Sequence, residues 1–212
     1  MRSKLRSLFF DLDGTLLDSS GDIAAAANMV RAHLNQPPLP INEVGEGVGW
    51  GLAHLLRHVL PSALHHRMPE AREVFMASYS QRLLVDSAPY EGAGVLLEAL
   101  STQAIPVGLV TNKPMAFVSP ILEALGWRFD VVVGGDSLKV RKPNPAPLLH
   151  ALSVVGCEPE AALFVGDSEV DQAAALAAGV RFAAVGWGRV APNAERVVPK
   201  LMALLEVPWA RR

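Results

Sequence analysis

The chain has 212 residues, 50% of them hydrophobic, and a formal net charge of −2. That is enough apolar material for a full core, in one domain or one domain plus an insert. No run of Lys or Arg exceeds two residues and the longest apolar stretches are far shorter than a membrane span, so neither a nucleic-acid surface nor a membrane role finds support. The basic start, Met1 to Arg6, leads into an apolar segment that meets Asp11 and Asp13 too soon for a signal peptide. The single Cys157 can form no internal disulfide. A soluble cytoplasmic protein is expected.

In chain order, Leu8, Phe9, Phe10 and Leu12 read as a short buried strand broken at Gly14. Residues 23–34 predict an Ala-rich helix that Pro37-Pro38-Leu39-Pro40 ends. Two more helices are expected over 50–60 and 69–84, with no strand between 18 and 88. From Pro89 onward short apolar strands alternate with helices. Helices are expected over 95–100, 115–125, 145–155 and 170–178, and strands over 105–110, 129–133, 162–165 and 182–185. A last helix is expected over 195–205. The alternation implies an α/β protein with a doubly wound parallel sheet, residues 1–17 and 89–212, interrupted by a helical insert over 18–88.

Polar residues gather at the predicted strand ends. Asp11 and Asp13 follow the first strand, Thr111-Asn112-Lys113 the second, and Gly166-Asp167-Ser168 with Asp171 a later one; Lys142 lies in a loop leading into a helix. Two carboxylates two residues apart repel unless a cation or a proton lies between them, although the run alone also reads as an ordinary acidic turn. A doubly wound sheet brings such strand ends to one edge. There the carboxylates offer hard oxygen ligands suited to Mg²⁺, while Thr111 and Lys142 can bind an anion beside it.

The motifs Asp11-Leu12-Asp13-Gly14-Thr15, Thr111-Asn112-Lys113-Pro114, Lys142-Pro143 and Gly166-Asp167-Ser168 with Asp171 occur in that order. With them the chain resembles the haloacid dehalogenase superfamily and, more narrowly, the bacterial phosphoglycolate phosphatases. Val48-Gly49-Trp50-Gly51 is similar to a Gly-rich segment of the cap in those enzymes. The resemblance implies a Rossmann-like core with a helical cap and a magnesium-dependent phosphatase acting on a small phosphorylated metabolite, 2-phosphoglycolate foremost. It implies Asp11 as nucleophile and Asp13 as general acid and base. Mg²⁺ would be held by Asp11, Asp167 and the backbone carbonyl of Asp13, and phosphoryl oxygens by Thr111 and Lys142. Asp171 would hold Lys142 or a metal-bound water. Asn112 and Gly49 are further substrate-binding candidates.

Other signals stay open or point to bland roles. Lys113 is read as reaching the phosphate or as a solvated charge; Lys139, Arg141 and Glu169 as surface charges; Asp18 as a helix cap or a hinge residue. The glycines at 45, 47, 49 and 51 miss dinucleotide-loop spacing, and His54, His58, His65 and His66 suit structural or solvated roles better than a metal site. Arg57 is a guess for a substrate contact, and Cys157 has no assigned reactivity. Asp13 argues against dehalogenation, and the absence of lysine between residues 19 and 88 excludes a phosphonate hydrolase that needs a cap Schiff base. Phosphatases of other sugar phosphates such as N-acetylmuramic acid 6-phosphate, sugar phosphomutases and a catalytically silent binding protein on this scaffold are the alternatives. Oligomeric state is not readable.

Overall fold

The computed structural model describes residues 5–188 and 197–207. Strand β1 (Ser7–Phe10) is followed by the short β2 (Leu17–Asp18), then helices α1 (Ser20–His33), α2 (Ile41–Glu46), α3 (Leu52–Val59) and α4 (Met68–Ser80), and the return strand β3 (Ala88–Pro89). Next come α5 (Ala93–Thr102), β4 (Val107–Val110), α6 (Met115–Leu125), β5 (Val131–Val133), α7 (Ala146–Val155), β6 (Ala162–Gly166), α8 (Glu169–Ala177), β7 (Arg181–Val185) and β8 (Val197–Val198).

Six strands form one sheet in the order β5-β4-β1-β6-β7-β8, and every pairing is parallel. Helices cover both faces, so the central strands are apolar throughout rather than alternating, and all of β1, β4 and β6 is buried. Successive side chains still divide between the faces. Leu8, Phe10, Leu109 and Val165 pack with Leu96 and Ile121 on one side. Phe9, Val110 and Phe164 pack with Leu148, Leu152 and Ala175 on the other.

The insert has its own apolar cluster, drawn from α1, α2, α3 and α4 and including Ala27, Val30, Val44, Leu56, Ala71 and Phe75. One residue of the sheet-bearing part enters that cluster. Phe117 of α6 meets Tyr79 edge-on, ring centroids 4.7 Å apart, and lies 6.4 Å from Phe75. Where the chain leaves and returns, β2 and β3 pair antiparallel, Leu17 with Pro89 and Asp18 with Ala88. The fully buried Asp22 of α1 accepts hydrogen bonds from the Asp86 backbone N–H (3.1 Å) and the Ser87 hydroxyl (2.6 Å), tying both crossings together.

Some expected boundaries shift for identifiable reasons. The first strand stops at Phe10 because the Leu12 carbonyl accepts the N–H groups of Thr15, Leu16 and Leu17, closing a turn. Strands β2 and β3 are too short to leave a periodic trace, and α2 is a six-residue helix without one. The helix expected to 84 ends at Ser80. The final helix expected over 195–205 is replaced. Residues 195 and 196 lie outside the described residues, Val197–Val198 extends the sheet, and Leu201–Glu206 forms a 3-10 helix. Pro199 explains the break, since it lacks a backbone donor and disfavours helical geometry at Val198.

Phe117 is 1% exposed and belongs to the insert's cluster, so Phe117→Ala is expected to lower stability by about 3–5 kcal/mol, the range for truncating a buried aromatic, in urea unfolding monitored by circular dichroism. A loss below about 1 kcal/mol would show that the packing of α6 on the insert contributes little.

Candidate active site

The site begins with strand order. Because β1 lies between β4 and β6, the residues just past these three carboxyl ends fall side by side: Thr111, Asp11 and Asp167. The ladder continues one residue beyond the strands, with the Asp11 N–H on the Val165 carbonyl at 3.0 Å and the Thr111 N–H on the Val133 carbonyl at 2.9 Å. Backbone bonding therefore fixes where these side chains start. The chain then turns sharply at Gly14, whose φ is +84°, and a Cβ there would meet the Asp167 carboxylate at 2.5 Å. Only glycine fits that turn beside that carboxylate.

Lys142 balances the carboxylates. Its ammonium, 2% exposed, donates to Asp11 Oδ1 (2.7 Å) and Asp171 Oδ1 (2.6 Å). The other oxygen of Asp171 accepts the Ser168 hydroxyl at 2.6 Å and the Ser168 N–H at 3.2 Å in the capping box that starts α8. Asp171 is thus engaged through both oxygens. Asp11, Asp167 and Asp171 are all buried and each places a carboxylate oxygen within 4.8 Å of the others. Burial pushes the Asp11 carboxyl up to about 6 while Lys142 pulls it back and Asp171 adds to the rise. Burial would lower Lys142, but Asp11 and Asp171 hold it above its ordinary value.

Asn112 carries Lys142 into place. Its Oδ1 accepts the Lys142 N–H at 3.0 Å, and its Nδ2 donates to the carbonyls of Lys142 and Gly49, each at 2.8 Å. The Gly49 bond joins the core to the insert's Gly-rich loop, where φ at Gly49 is +101°. Asn112, expected as a substrate contact, therefore has its amide engaged with backbone while it also lines the cavity.

Asp13 has different company. Its Oδ1 accepts from the Ser19 hydroxyl (2.6 Å) and from the Lys113 ammonium (2.7 Å), and the same ammonium donates to the Tyr79 hydroxyl at 2.7 Å. Lys113 is buried, its side chain 4% exposed, so the solvated reading of this residue is wrong. Burial would lower it, but Asp13 and then Tyr79 hold it above its ordinary value, and burial raises Tyr79 to about 12. A cavity of about 60 Å³ opens here, lined on one side by Asp11, Asp13, Thr111, Asn112 and Lys113. The facing wall is apolar, built from Ile23, Val48, Leu52, Leu55 and Phe75. A larger cleft of about 400 Å³ reaches Asp13 and Asp167 from the other side, past Ser19, Tyr90 and Trp187.

Several other sequence candidates fall outside. Glu169, Lys139, Arg141 and Arg57 are exposed, and none of them lines the cavity. Asp18 lies in β2, one residue before Ser19 at the N-cap of α1, and accepts the Ser20 N–H (3.2 Å) and hydroxyl (2.6 Å), so it bonds the first residue of that helix from the crossing into the insert. His58 contacts the Glu43 carbonyl at 2.8 Å. Tyr79 left no sign in the sequence beyond a place on a helix.

The model of the haloacid dehalogenase-like hydrolase family matches residues 8–185. Phosphoglycolate phosphatase 1 of Pseudomonas aeruginosa is 40% identical over 191 residues, 86% of this chain and 70% of that protein. The phosphoglycolate phosphatase of Chromobacterium violaceum is 38% identical, covering 87% of this chain and 86% of that protein. Among solved structures, a predicted phosphoglycolate phosphatase from Haemophilus somnus superposes with a TM-score of 0.89 at 29% identity, over 97% of this chain and 98% of that one. The family match runs through all four groups of strand-end and loop residues, and the chain belongs to the haloacid dehalogenase-like hydrolases.

Proposed function

We propose that this protein is a phosphatase that hydrolyses a small phosphomonoester, 2-phosphoglycolate foremost, through a phosphorylated Asp11. The observation that carries the reading is the pair Asp11 and Asp13 lining one cavity with Thr111, each carboxylate matched to its own buried lysine. The relatives' names support the substrate. Residues 1–17 and 89–212 form the catalytic core in this reading, and 18–88 the cap that shields the reaction from water.

Asp11 would attack phosphorus as the bond to the leaving alkoxide breaks, and Asp13 would give that oxygen a proton. Asp13 would then take a proton from the water that attacks the aspartyl-phosphate, releasing phosphate and restoring Asp11. The Thr111 hydroxyl and the Lys142 ammonium would hold the phosphoryl oxygens and offset charge in the transition state. Asp171 keeps Lys142 aimed at Asp11.

The donor set fits a small hard cation, because Asp11 and Asp167 are buried carboxylates with oxygens in mutual reach. Asp171, with both oxygens engaged, fits the role of lysine partner rather than ligand. Mg²⁺ would be held by Asp11 and Asp167 with the backbone carbonyl of Asp13. When bound it lessens the repulsion between an anionic nucleophile and an anionic phosphoryl group.

With Mg²⁺ and 2-phosphoglycolate, Asp11→Asn is expected to cut inorganic phosphate release by about 10³-fold or more, since an amide cannot replace the carboxylate in the proposed covalent step. Undiminished release would remove Asp11 as nucleophile. Asp13→Asn is expected to lower turnover by about 10²- to 10⁴-fold, the usual contribution of a positioned acid and base, in steady-state assays.

A third expectation concerns pH. The folded protein raises Asp11 from 3.8 to about 6, so it binds this proton more tightly than the unfolded chain does. The stability this group contributes is present below its unfolded value and is lost as pH rises toward about 6. Mg²⁺ needs the ionised carboxylate, so its apparent affinity, read by calorimetric titration, is expected to fall about tenfold per pH unit below that point. An affinity flat between pH values of about 6 and about 5 would contradict the assignment of Asp11 as a ligand.

A further inference from the structure

Resting on the phosphatase reading, we propose that Lys113 is the receptor for a second anionic group of the substrate, a carboxylate carried one or two carbons from the ester oxygen. Lys113 would then set specificity for acidic phosphomonoesters over neutral ones.

Four observations converge on this residue. Lys113 is the one cation among the described residues lining the inner cavity, and Lys142 is turned toward Asp11 and Asp171. Its ammonium lies 2.7 Å from Asp13 Oδ1 and so sits beside the carboxyl group proposed to protonate the leaving oxygen. A substrate group that touches Lys113 is therefore next to the leaving oxygen, at the distance a very short carbon chain spans. An ammonium has three N–H donors, and Asp13 and Tyr79 take two of them among the described residues. The facing wall of Ile23, Val48, Leu52, Leu55 and Phe75 offers no competing charge, so a carboxylate entering the cavity has one place to go. The apolar wall also suits a methylene better than the hydroxyls of a sugar ring.

The bland alternative is a lysine that only holds Asp13 in place. The two roles differ in which substrates suffer when the charge is removed. A positioning lysine serves every ester alike, whereas a carboxylate receptor serves only those bearing the carboxylate.

The test compares kcat/KM for 2-phosphoglycolate and ethyl phosphate, which match in chain length and differ in the carboxylate. Wild-type protein is expected to prefer 2-phosphoglycolate by about 10- to 100-fold, as one charge-assisted contact in a water-poor cavity provides. In Lys113→Met the ratio is expected to fall toward one, whatever loss the two substrates share through Asp13. An unchanged ratio in the variant would overturn the proposal and leave Lys113 a positioning residue. Equal wild-type rates on both esters would overturn it without any variant, and would still uphold a phosphatase. Hydrolysis of neither ester would overturn the phosphatase reading and this proposal with it.

Discussion

Four carboxylates crowd one edge of the sheet, and their mutual repulsion is the constraint to which the rest of the site answers. Asp11, Asp167 and Asp171 have oxygens within 4.8 Å of one another, and Asp13 follows Asp11 by two residues. Like charges this close in a buried place cannot all stay ionised without compensation. Two buried lysines supply part of it. Lys142 joins Asp11 to Asp171, and Lys113 joins Asp13 to a tyrosine of the insert. Each lysine is tolerable in the interior only because its partners are there, and removing one partner would strand the other charge. Burial, with Asp171 and Asp13 adding to it, still raises Asp11 to about 6 against the pull of Lys142, and in the proposed reading a divalent cation would offset that cost of ionisation.

The fold delivers these groups by simple means. A parallel sheet presents every carboxyl end at the same edge, and placing β1 between β4 and β6 makes Asp11 the neighbour of both Thr111 and Asp167. The close turn at Gly14 lets Asp167 approach, and Asn112 mounts Lys142 by bonding both its backbone N–H and its carbonyl. The same amide reaches Gly49, so the loop that carries Lys142 and the loop of the insert share one anchor. Preorganisation of this kind places the charges before substrate arrives, which is where electrostatic catalysis gains most.

How much of this was legible in the sequence depended on how local the signal was. Asp11, Asp13, Thr111 and Asp167 stand out because charged or hydroxylated residues at the ends of continuous apolar runs have few structural reasons to be there. The core strands were legible for the same reason, and α6 was read to the residue. The final helix was misread because an apolar stretch after Pro199 looks helical by composition, while Pro199 forces Val198 into extended geometry and a sixth strand. Lys113 stayed ambiguous because its partners are distant. Asp13 is 100 residues away and Tyr79 is 34, and neither leaves a periodic or spacing mark. Tyr79 in particular reads as one more aromatic on an amphipathic helix. A contact between two segments so far apart in the chain cannot be seen in either one alone.

That contact separates two residues the sequence presents as a pair. The Asp11 side chain is held by Lys142, which is itself seated by Asn112 and Asp171, all residues of the α/β part. Asp13 answers to Ser19 at the crossing into the insert and to Lys113, whose other partner is Tyr79 on α4. The proposed nucleophile is thus held by hydrogen-bond partners from the sheet-bearing part, while those of the proposed acid and base come from both parts. Such a division fits the chemistry. In the proposed mechanism every phosphomonoester would present the same phosphoryl group to Asp11, whereas the leaving oxygen that Asp13 would serve differs from one substrate to the next, and Asp13 is the carboxylate whose partners reach into the insert.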